Sequence, residues 1–146
     1  MIVYRPMREK DLDTVAALEA AAFSRPWQRK DFADALMNPN YLYYVAEEDG
    51  AVIATAGLIL SIDEADLTNV TTSEPCRGKG ISKTLLEHLM QAAKEQGIAA
   101  FTLEVRSGNA AAIALYEKLG FVCEGRRKNF YTAPVEDALI YWLREE

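Results

Sequence analysis

The chain has 146 residues, of which 50% are hydrophobic and 26% charged, and its formal net charge at pH 7 is -6. A chain of this length suits one domain that buries about two-thirds of its unfolded surface, so we expect residues 1–146 to form a single domain. No apolar run approaches the roughly 18 residues needed to span a bilayer, and charged residues occupy the amino terminus where a signal peptide has its apolar centre. These features predict a cytoplasmic protein without a membrane partner.

Charge and composition also exclude several kinds of partner. An acidic excess disfavours nonspecific binding to nucleic acid, which needs clustered Lys and Arg. Two cysteines and one histidine are too few for a disulfide framework and do not cluster as zinc ligands do. We therefore expect no metal site and no direct nucleic-acid partner.

The first half of the chain predicts a strand, two helices and three more strands. In chain order these are a strand over 2–5, helices over 7–23 and 28–37, and strands over 41–46, 51–62 and 66–72. The first helix has an apolar face that includes Ala22 and Phe23, which we expect to point inward. Between the second and third strands, Asp49-Gly50 favours a tight hairpin because this pair tolerates positive φ.

The second half predicts two helices, each followed by strands. In chain order these are a helix over 79–96, a strand over 98–105, a helix over 109–119 and strands over 121–131 and 136–143. The whole order is β1-α1-α2-β2-β3-β4-α3-β5-α4-β6-β7. It describes a mixed α/β (α+β) protein with a sheet of about seven strands flanked by helices.

A glycine-rich segment lies between the strand that ends near residue 72 and the following helix. Its sequence is Arg77-Gly78-Lys79-Gly80-Ile81-Ser82. The helix start offers free N–H groups and a positive dipole end, and the two basic side chains add charge, so the segment suits a pyrophosphate. Taken alone, it is more typical of an ordinary glycine-rich turn.

Several stretches of the chain resemble the GNAT acetyltransferases. Arg77, Gly80 and Ser82 fill the key places of motif A in that superfamily, and residues 103–121 resemble its motif B. Together with Pro26-Trp27 and residues 126–131, they resemble in particular the subfamily of bacterial ribosomal-protein-alanine N-acetyltransferases. The resemblance implies a GNAT fold with a mostly antiparallel sheet.

The chain departs from the subfamily pattern near the glycine-rich segment. Cys76 stands where Tyr or Trp is usual, and Ser82 where Gly or Ala is usual. Residues 69–73 read Asn-Val-Thr-Thr-Ser instead of Asn-Ile-Ala-Val-Asp. These substitutions leave the fit of the substrate open.

The resemblance implies acetyl-CoA as co-substrate and assigns residues to it. The backbone of Val70, Thr71 and Thr72 would pair with the pantetheine arm. The amides of residues 77–82 would hold the diphosphate. Asn109 would lie beside the pantetheine, and its residue type also suits a helix N-cap.

The resemblance also implies roles in catalysis and in acceptor binding. Glu104 would act as general base and Tyr116 as general acid, while Trp27 and Tyr131 would form walls of the acceptor groove. From residue type alone, a Glu at this place is more often a solvated charge at a strand end. Tyr116 is likewise more often a core tyrosine, since it shares a helical face with Ile113 and Leu119.

The implied reaction is direct acetyl transfer to a primary amine. The resemblance to the subfamily implies the N-terminal α-amine of a protein that begins with alanine, with a ribosomal protein as the subfamily's substrate. A small-molecule amine, a polyamine or a lysine is an alternative acceptor, and a catalytically silent CoA-binding module is an alternative from another class. Acetylation of a peptide with a free N-terminal alanine, but not of its blocked form, tests the α-amine hypothesis. Cofactor binding without acetyl transfer would indicate the silent module.

Overall fold

The computed structural model describes residues 1–144, and residues 145–146 of the expected domain lie outside the described part. The helices are α1 (Leu12–Ala22), α2 (Arg29–Leu36), α3 (Ile81–Glu95) and α4 (Ala110–Lys118). The strands are β1 (Ile2–Pro6), β2 (Tyr41–Glu48), β3 (Ala51–Ser61), β4 (Glu64–Thr72), β5 (Ala100–Arg106), β6 (Val122–Thr132) and β7 (Val135–Arg144). The order of the elements along the chain is the predicted one.

The strands form one sheet in the order β1-β2-β3-β4-β5-β7-β6. All neighbouring pairs are antiparallel except β4 and β5, which are parallel. The predicted mixed, mostly antiparallel sheet of seven strands is therefore confirmed. Within residues 1–144, β4 and β5 pair from Glu64↔Ala100 to Asp66↔Thr102. Past that point the two strands are no longer paired, and the sheet is open between them.

Helices cover both faces of the sheet. The larger core lies between the sheet and helices α3 and α4, with Leu85, Leu89 and Phe101 fully buried in it. The smaller core lies under α1 and α2 and contains Val15 and Phe32. The helical spacing of apolar residues accounts for both contacts, because residues three or four apart share one face of a helix.

The hairpin between β2 and β3 has the predicted turn. Asp49 has φ of 51° and Gly50 has φ of 86°, and positive φ at both central residues matches the twist of the flanking strands. The turn sets the register Glu48↔Ala51.

Helix α1 differs from its prediction at both ends. A 3-10 turn over Glu9–Asp11 precedes it, and the regular helix begins at Leu12. The prediction that Phe23 points inward is wrong: this residue is 43% exposed. The helix ends at Ala22, and Phe23 is extended with φ of -128° and ψ of 146°, which rotates its side chain off the helical face.

Candidate active site

A cleft of about 570 Å³ opens where β4 and β5 separate, between the starts of α3 and α4. Ten of the residues singled out from the sequence line it: Val70, Thr71, Thr72, Arg77, Gly78, Gly80, Ile81, Ser82, Asn109 and Tyr116. Ala22, the last residue of α1, also reaches it. The predicted cofactor residues are thus brought together, with the exception of Lys79.

The glycine-rich segment needs its glycines for backbone conformation. Gly78 and Gly80 have φ of 79° and 77°, values that residues with a side chain rarely adopt. Helix α3 begins directly after Gly80, so the unpaired N–H groups of its first turn point toward the cleft region, where an anion is favoured. Lys79 is exposed outside the cleft lining, whereas Lys83, one turn later, lines it.

Lys83 was not singled out from the sequence. It lies in the first turn of α3, directly after the glycine-rich segment, and a basic side chain at that place is the signal that would have found it. Its ammonium group is 3.3 Å from Glu87 on the same helix.

Two of the departures from the family pattern contact each other. The hydroxyl groups of Thr72 on β4 and Ser82 on α3 are 2.5 Å apart and share a hydrogen bond. Arg77 adds a second tie, since its Nε donates to the carbonyl oxygen of Thr72 at 3.1 Å. The end of β4 is therefore fixed to the start of α3, and the unusual pair Thr72 and Ser82 is mutually satisfied.

Asn109 caps α4, as its residue type predicts. Its side-chain oxygen accepts a hydrogen bond from the Ala112 N–H at 3.2 Å, which satisfies one of the free donors at the helix start. Asn109 also lines the cleft, so its role as a cap is compatible with the predicted position beside the co-substrate.

Tyr116 lies on the inner face of α4 and is 9% exposed. Its ring packs against Phe121 with a centroid distance of 5.9 Å, and the residue also lines the cleft. Burial, and then the neighbouring Tyr131, raise the pKa of Tyr116 to about 12. The phenol therefore stays protonated at neutral pH, as a proton donor must.

Glu104 lies on β5 with its side chain on the other face of the sheet. Its neighbours Leu103 and Val105 are buried in the core beneath α3 and α4, and side chains alternate along a strand. The Glu104 carboxylate is partly exposed, and its Oε2 is 3.4 Å from Arg127 Nε. It is not among the residues that line the cleft beside Tyr116.

Tyr131 connects the two sides of the site. Burial raises its pKa, and the negative charge of Glu104 raises it further, while Arg106 opposes the rise. The same tyrosine contributes to the raised pKa of Tyr116. Tyr131 is thus within electrostatic range of both residues proposed for catalysis.

Trp27 lies apart from the cleft. It packs against Phe32 and Tyr43 at centroid distances of 5.2 and 6.0 Å and lines a second, smaller pocket of about 180 Å³ next to α2. Its backbone is tied to α1, because the Trp27 N–H donates to Glu19 at 3.3 Å.

Glu19 on α1 is the principal residue that the sequence analysis missed. It is 3% exposed, and its Oε2 also accepts a hydrogen bond from Asn69 at 2.8 Å. Burial raises the pKa of Glu19, although the bonds from Trp27 and Asn69 and the adjacent Thr71 hydroxyl oppose the rise. Within residues 1–144, Glu19 Oε1 and Thr71 Oγ1 are buried without a partner of good hydrogen-bond geometry. The sequence feature that would have identified Glu19 is its position, because it lies on the same buried face of α1 as Leu12 and Val15.

No group of three or more His, Cys, Asp or Glu residues among 1–144 has the arrangement of a metal site. None of the helices in that range is long and apolar enough to cross a membrane.

Residues 12–121 match the family model described as Acetyltransferase (GNAT) family. This range covers most of the chain and contains the cleft, the glycine-rich segment and α4. The chain is a GNAT acetyltransferase. Enzymes of the family use acetyl-CoA as co-substrate, and the cleft offers this acetyltransferase the helix N–H groups and basic side chains that phosphate groups require.

Named relatives agree with the family assignment. A [Ribosomal protein bS18]-alanine N-acetyltransferase from Escherichia coli (strain K12) is 39% identical over 135 residues, covering 91% of this acetyltransferase and 90% of the relative. The Salmonella typhimurium (strain LT2) protein of the same name is 36% identical with the same coverage.

A solved structure agrees as well. The crystal structure of the ribosomal-protein-S18-alanine N-acetyltransferase from Escherichia coli superposes with a TM-score of 0.89 and 36% identity. The match covers 99% of this acetyltransferase and 94% of that chain. The family, the fold and the class of enzyme predicted from the sequence are therefore confirmed.

Proposed function

We propose that this acetyltransferase transfers the acetyl group of acetyl-CoA to the N-terminal α-amine of a protein that begins with alanine. A ribosomal protein is the substrate class that the names of the bacterial relatives suggest. One structural observation chiefly supports the proposal. The residues expected to bind acetyl-CoA line a single cleft together with Tyr116, at the opening between β4 and β5.

The two proposed catalytic residues lie on opposite sides of the sheet, Tyr116 on α4 and Glu104 on the other face of β5. This arrangement suits transfer between two substrates. Acetyl-CoA supplies the thioester carbonyl that the amine attacks. Tyr116, in the cleft on the α4 side, donates its proton to the departing thiolate. Glu104, on the opposite face, accepts a proton from the amine directly or through one water. No acyl group passes through the enzyme, so no nucleophilic side chain is needed.

The remaining cleft residues would bind and orient the co-substrate. Amides of the first turn of α3, with Arg77 and Lys83, would hold the phosphates. The edge of β4 at Val70–Thr72 is not paired with β5 in the described residues, so its backbone groups are available to the pantetheine amides and the thioester oxygen. Asn109 and the small residues Ala111 and Ala112 of α4 would border the arm.

An α-amine is the acceptor that demands least of the base. Its pKa of about 7.8 leaves roughly 14% neutral at pH 7, whereas a lysine with pKa about 10.4 is neutral to well under 0.1%. A partly exposed carboxylate such as Glu104 is sufficient to remove one proton from an amine that is already partly neutral. We therefore expect a strong preference for the α-amine over a lysine side chain in the same peptide.

The experiment uses one peptide that begins with alanine and contains an internal lysine. Incubation with acetyl-CoA and this enzyme, followed by tandem mass spectrometry, should place a single acetyl group on the α-amine. The pre-acetylated peptide is the matched control and should gain none. Spermidine and a free lysine, supplied in parallel, test the alternative acceptors.

Three results would contradict the proposal in different ways. Acetylation of the internal lysine alone would assign a lysine substrate. Faster acetylation of spermidine than of the peptide would assign a small-molecule amine. If acetyl-CoA raised the melting temperature while no amine, peptide or protein accepted acetyl, the chain would be a silent CoA-binding module.

A further inference from the structure

The turn between β6 and β7 is tied to the end of β5 by Arg106. Its guanidinium donates to the carbonyl oxygens of Pro134 at 3.0 Å and Ala133 at 3.4 Å. The same group lies over the ring of Tyr131, 4.3 Å from the centroid. A planar guanidinium that stacks on a ring and bonds two carbonyls holds both in one orientation. Arg106 therefore fixes Tyr131 relative to β5.

Glu136 extends this network to the start of α4. Its Oε1 accepts from Arg106 at 3.2 Å, and its Oε2 accepts the Gly108 N–H at 2.6 Å and the Ser107 hydroxyl at 3.5 Å. Gly108 directly precedes Asn109, which caps α4 and lines the cleft. One carboxylate thus joins the rim of the cofactor cleft to the residue that holds Tyr131.

The side chains of a second ion pair in the same hairpin lack these connections, although the Asp137 backbone carbonyl accepts the Ser107 N–H. Arg126 donates to Asp137 at 2.7 Å, and Asp137 also accepts the Asn129 N–H at 2.9 Å. These side-chain bonds join β6 to β7 within the hairpin. The side chains of Asp137 and Glu136 are similarly exposed. The Arg126–Asp137 pair therefore provides a matched control.

We propose that Arg106 and Glu136 are positioning residues that couple acetyl-CoA binding at the start of α4 to the placement of Tyr131. The inference rests on the proposed function, in which Tyr131 borders the acceptor. Contact of the co-substrate with Asn109 restricts residues 107–109, and Glu136 and Arg106 pass the restriction to residues 131–135. A groove wall that is already ordered costs the acceptor less entropy on binding, so the acceptor binds more tightly after acetyl-CoA.

The kinetic test breaks the network in three ways. Glu136→Gln removes the charge, and Arg106→Lys keeps a charge but loses the planar fork. Gly108→Ala breaks the network and keeps both charged side chains. Its new Cβ would lie 2.6 Å from Glu136 Oε2 and would displace that carboxylate. Each variant should raise the acceptor KM at saturating acetyl-CoA by roughly fivefold or more, with kcat unchanged. Arg126→Gln should leave both parameters at wild-type values.

A second measurement does not depend on turnover. Hydrogen exchange of the backbone amides of residues 130–133 and 135 is followed with and without acetyl-CoA. Addition of acetyl-CoA should slow this exchange roughly fivefold in the wild type and in Arg126→Gln, but not in Glu136→Gln or Gly108→Ala. Equal slowing in all four proteins would overturn the coupling, as would a wild-type acceptor KM in every network variant.

The two proposals fail separately. If the wild type acetylates no peptide while acetyl-CoA still slows exchange through Glu136, the proposed substrate is wrong and the coupling stands. If the wild type acetylates the alanine peptide and the network variants behave as Arg126→Gln does, the coupling alone is wrong.

Discussion

Replacing Tyr116 with phenylalanine removes the proposed proton donor and almost nothing else. The pKa of Tyr116 is raised to about 12 by burial and by Tyr131, so at pH 8 only about one molecule in ten thousand lacks the phenolic proton. Loss of a general acid costs roughly 10²- to 10⁴-fold, and a hundredfold loss is about 2.7 kcal/mol in the barrier. We expect kcat to fall by at least that hundredfold.

The assay follows release of the CoA thiol with the alanine peptide as acceptor, together with acetyl-CoA affinity by calorimetry. The affinity should be unchanged in Tyr116→Phe, since the ring that lines the cleft remains. Tyr141→Phe is the matched control, because the Tyr141 hydroxyl donates to Glu117 at 3.0 Å and only supports the fold. That variant should lose about 1 kcal/mol of stability and keep its kcat.

The pH profile gives an independent check of the same reasoning. A phenol with a raised pKa is the protonated donor up to about pH 10 or beyond, so the wild-type kcat should show no alkaline decline from Tyr116 below that pH. Wild-type kcat in Tyr116→Phe would refute the role of this residue. An equal loss in Tyr116→Phe and Tyr141→Phe would refute its specificity.

Four further substitutions have expected outcomes. Glu104→Gln should lower kcat by roughly 10²-fold without changing the acetyl-CoA Kd, and an unchanged kcat would remove Glu104 as base. Thr71→Val should cost less stability in urea unfolding than Thr55→Val does, because the Thr71 hydroxyl only adjoins the Glu19 carboxylate and has no partner of good hydrogen-bond geometry. Thr55→Val, at the position paired with Thr71, loses a bonded hydroxyl and should cost about 1 kcal/mol; the reverse order would contradict this. Gly57→Ala should cost roughly 1–3 kcal/mol, since its Cβ would lie 2.2 Å from the Tyr43 ring, and an unshifted urea midpoint would show that the ring moves freely.

Elements with strong local signals were predicted well. Helix α3 was expected over 79–96 and runs over Ile81–Glu95, because its apolar residues repeat at helical spacing and Gly97, with φ of 98°, ends it. The β2–β3 hairpin followed from Asp49-Gly50. In each case, the deciding interaction lies within a few residues of the chain.

The contacts inside the cleft depended on tertiary structure. Thr72 and Ser82 looked like two unrelated departures, and their shared hydrogen bond depends on how β4 meets α3. A register shift between β3 and β4 near Gly57 also changes which β4 side chains face each side. An alternating pattern read from the sequence cannot anticipate such a shift, because one extra residue reverses the faces.

Buried polar groups were the other source of error. Glu19 was passed over because a charged residue on a helix is usually solvated, yet it is 3% exposed and bonds both Asn69 and Trp27. These partners are 50 and 8 residues away in the chain. The same limit applies to Trp27, whose ring lies in the small core near Phe32 while only its backbone is linked to Glu19 and, through it, to β4.

The central claim is that acetyl-CoA and the acceptor amine meet between Tyr116 and Glu104, and one structure tests it directly. The ligand is CoA joined through an acetyl linker to the α-nitrogen of an alanine peptide, and the measurement is a crystal structure of its complex with the full chain. We predict the diphosphate on the amides of residues 77–82, the sulfur within hydrogen-bond reach of the Tyr116 hydroxyl, and the alanine nitrogen near Glu104. A sulfur atom far from Tyr116, or a peptide leaving the cleft on the side away from Glu104 and Tyr131, would contradict the account.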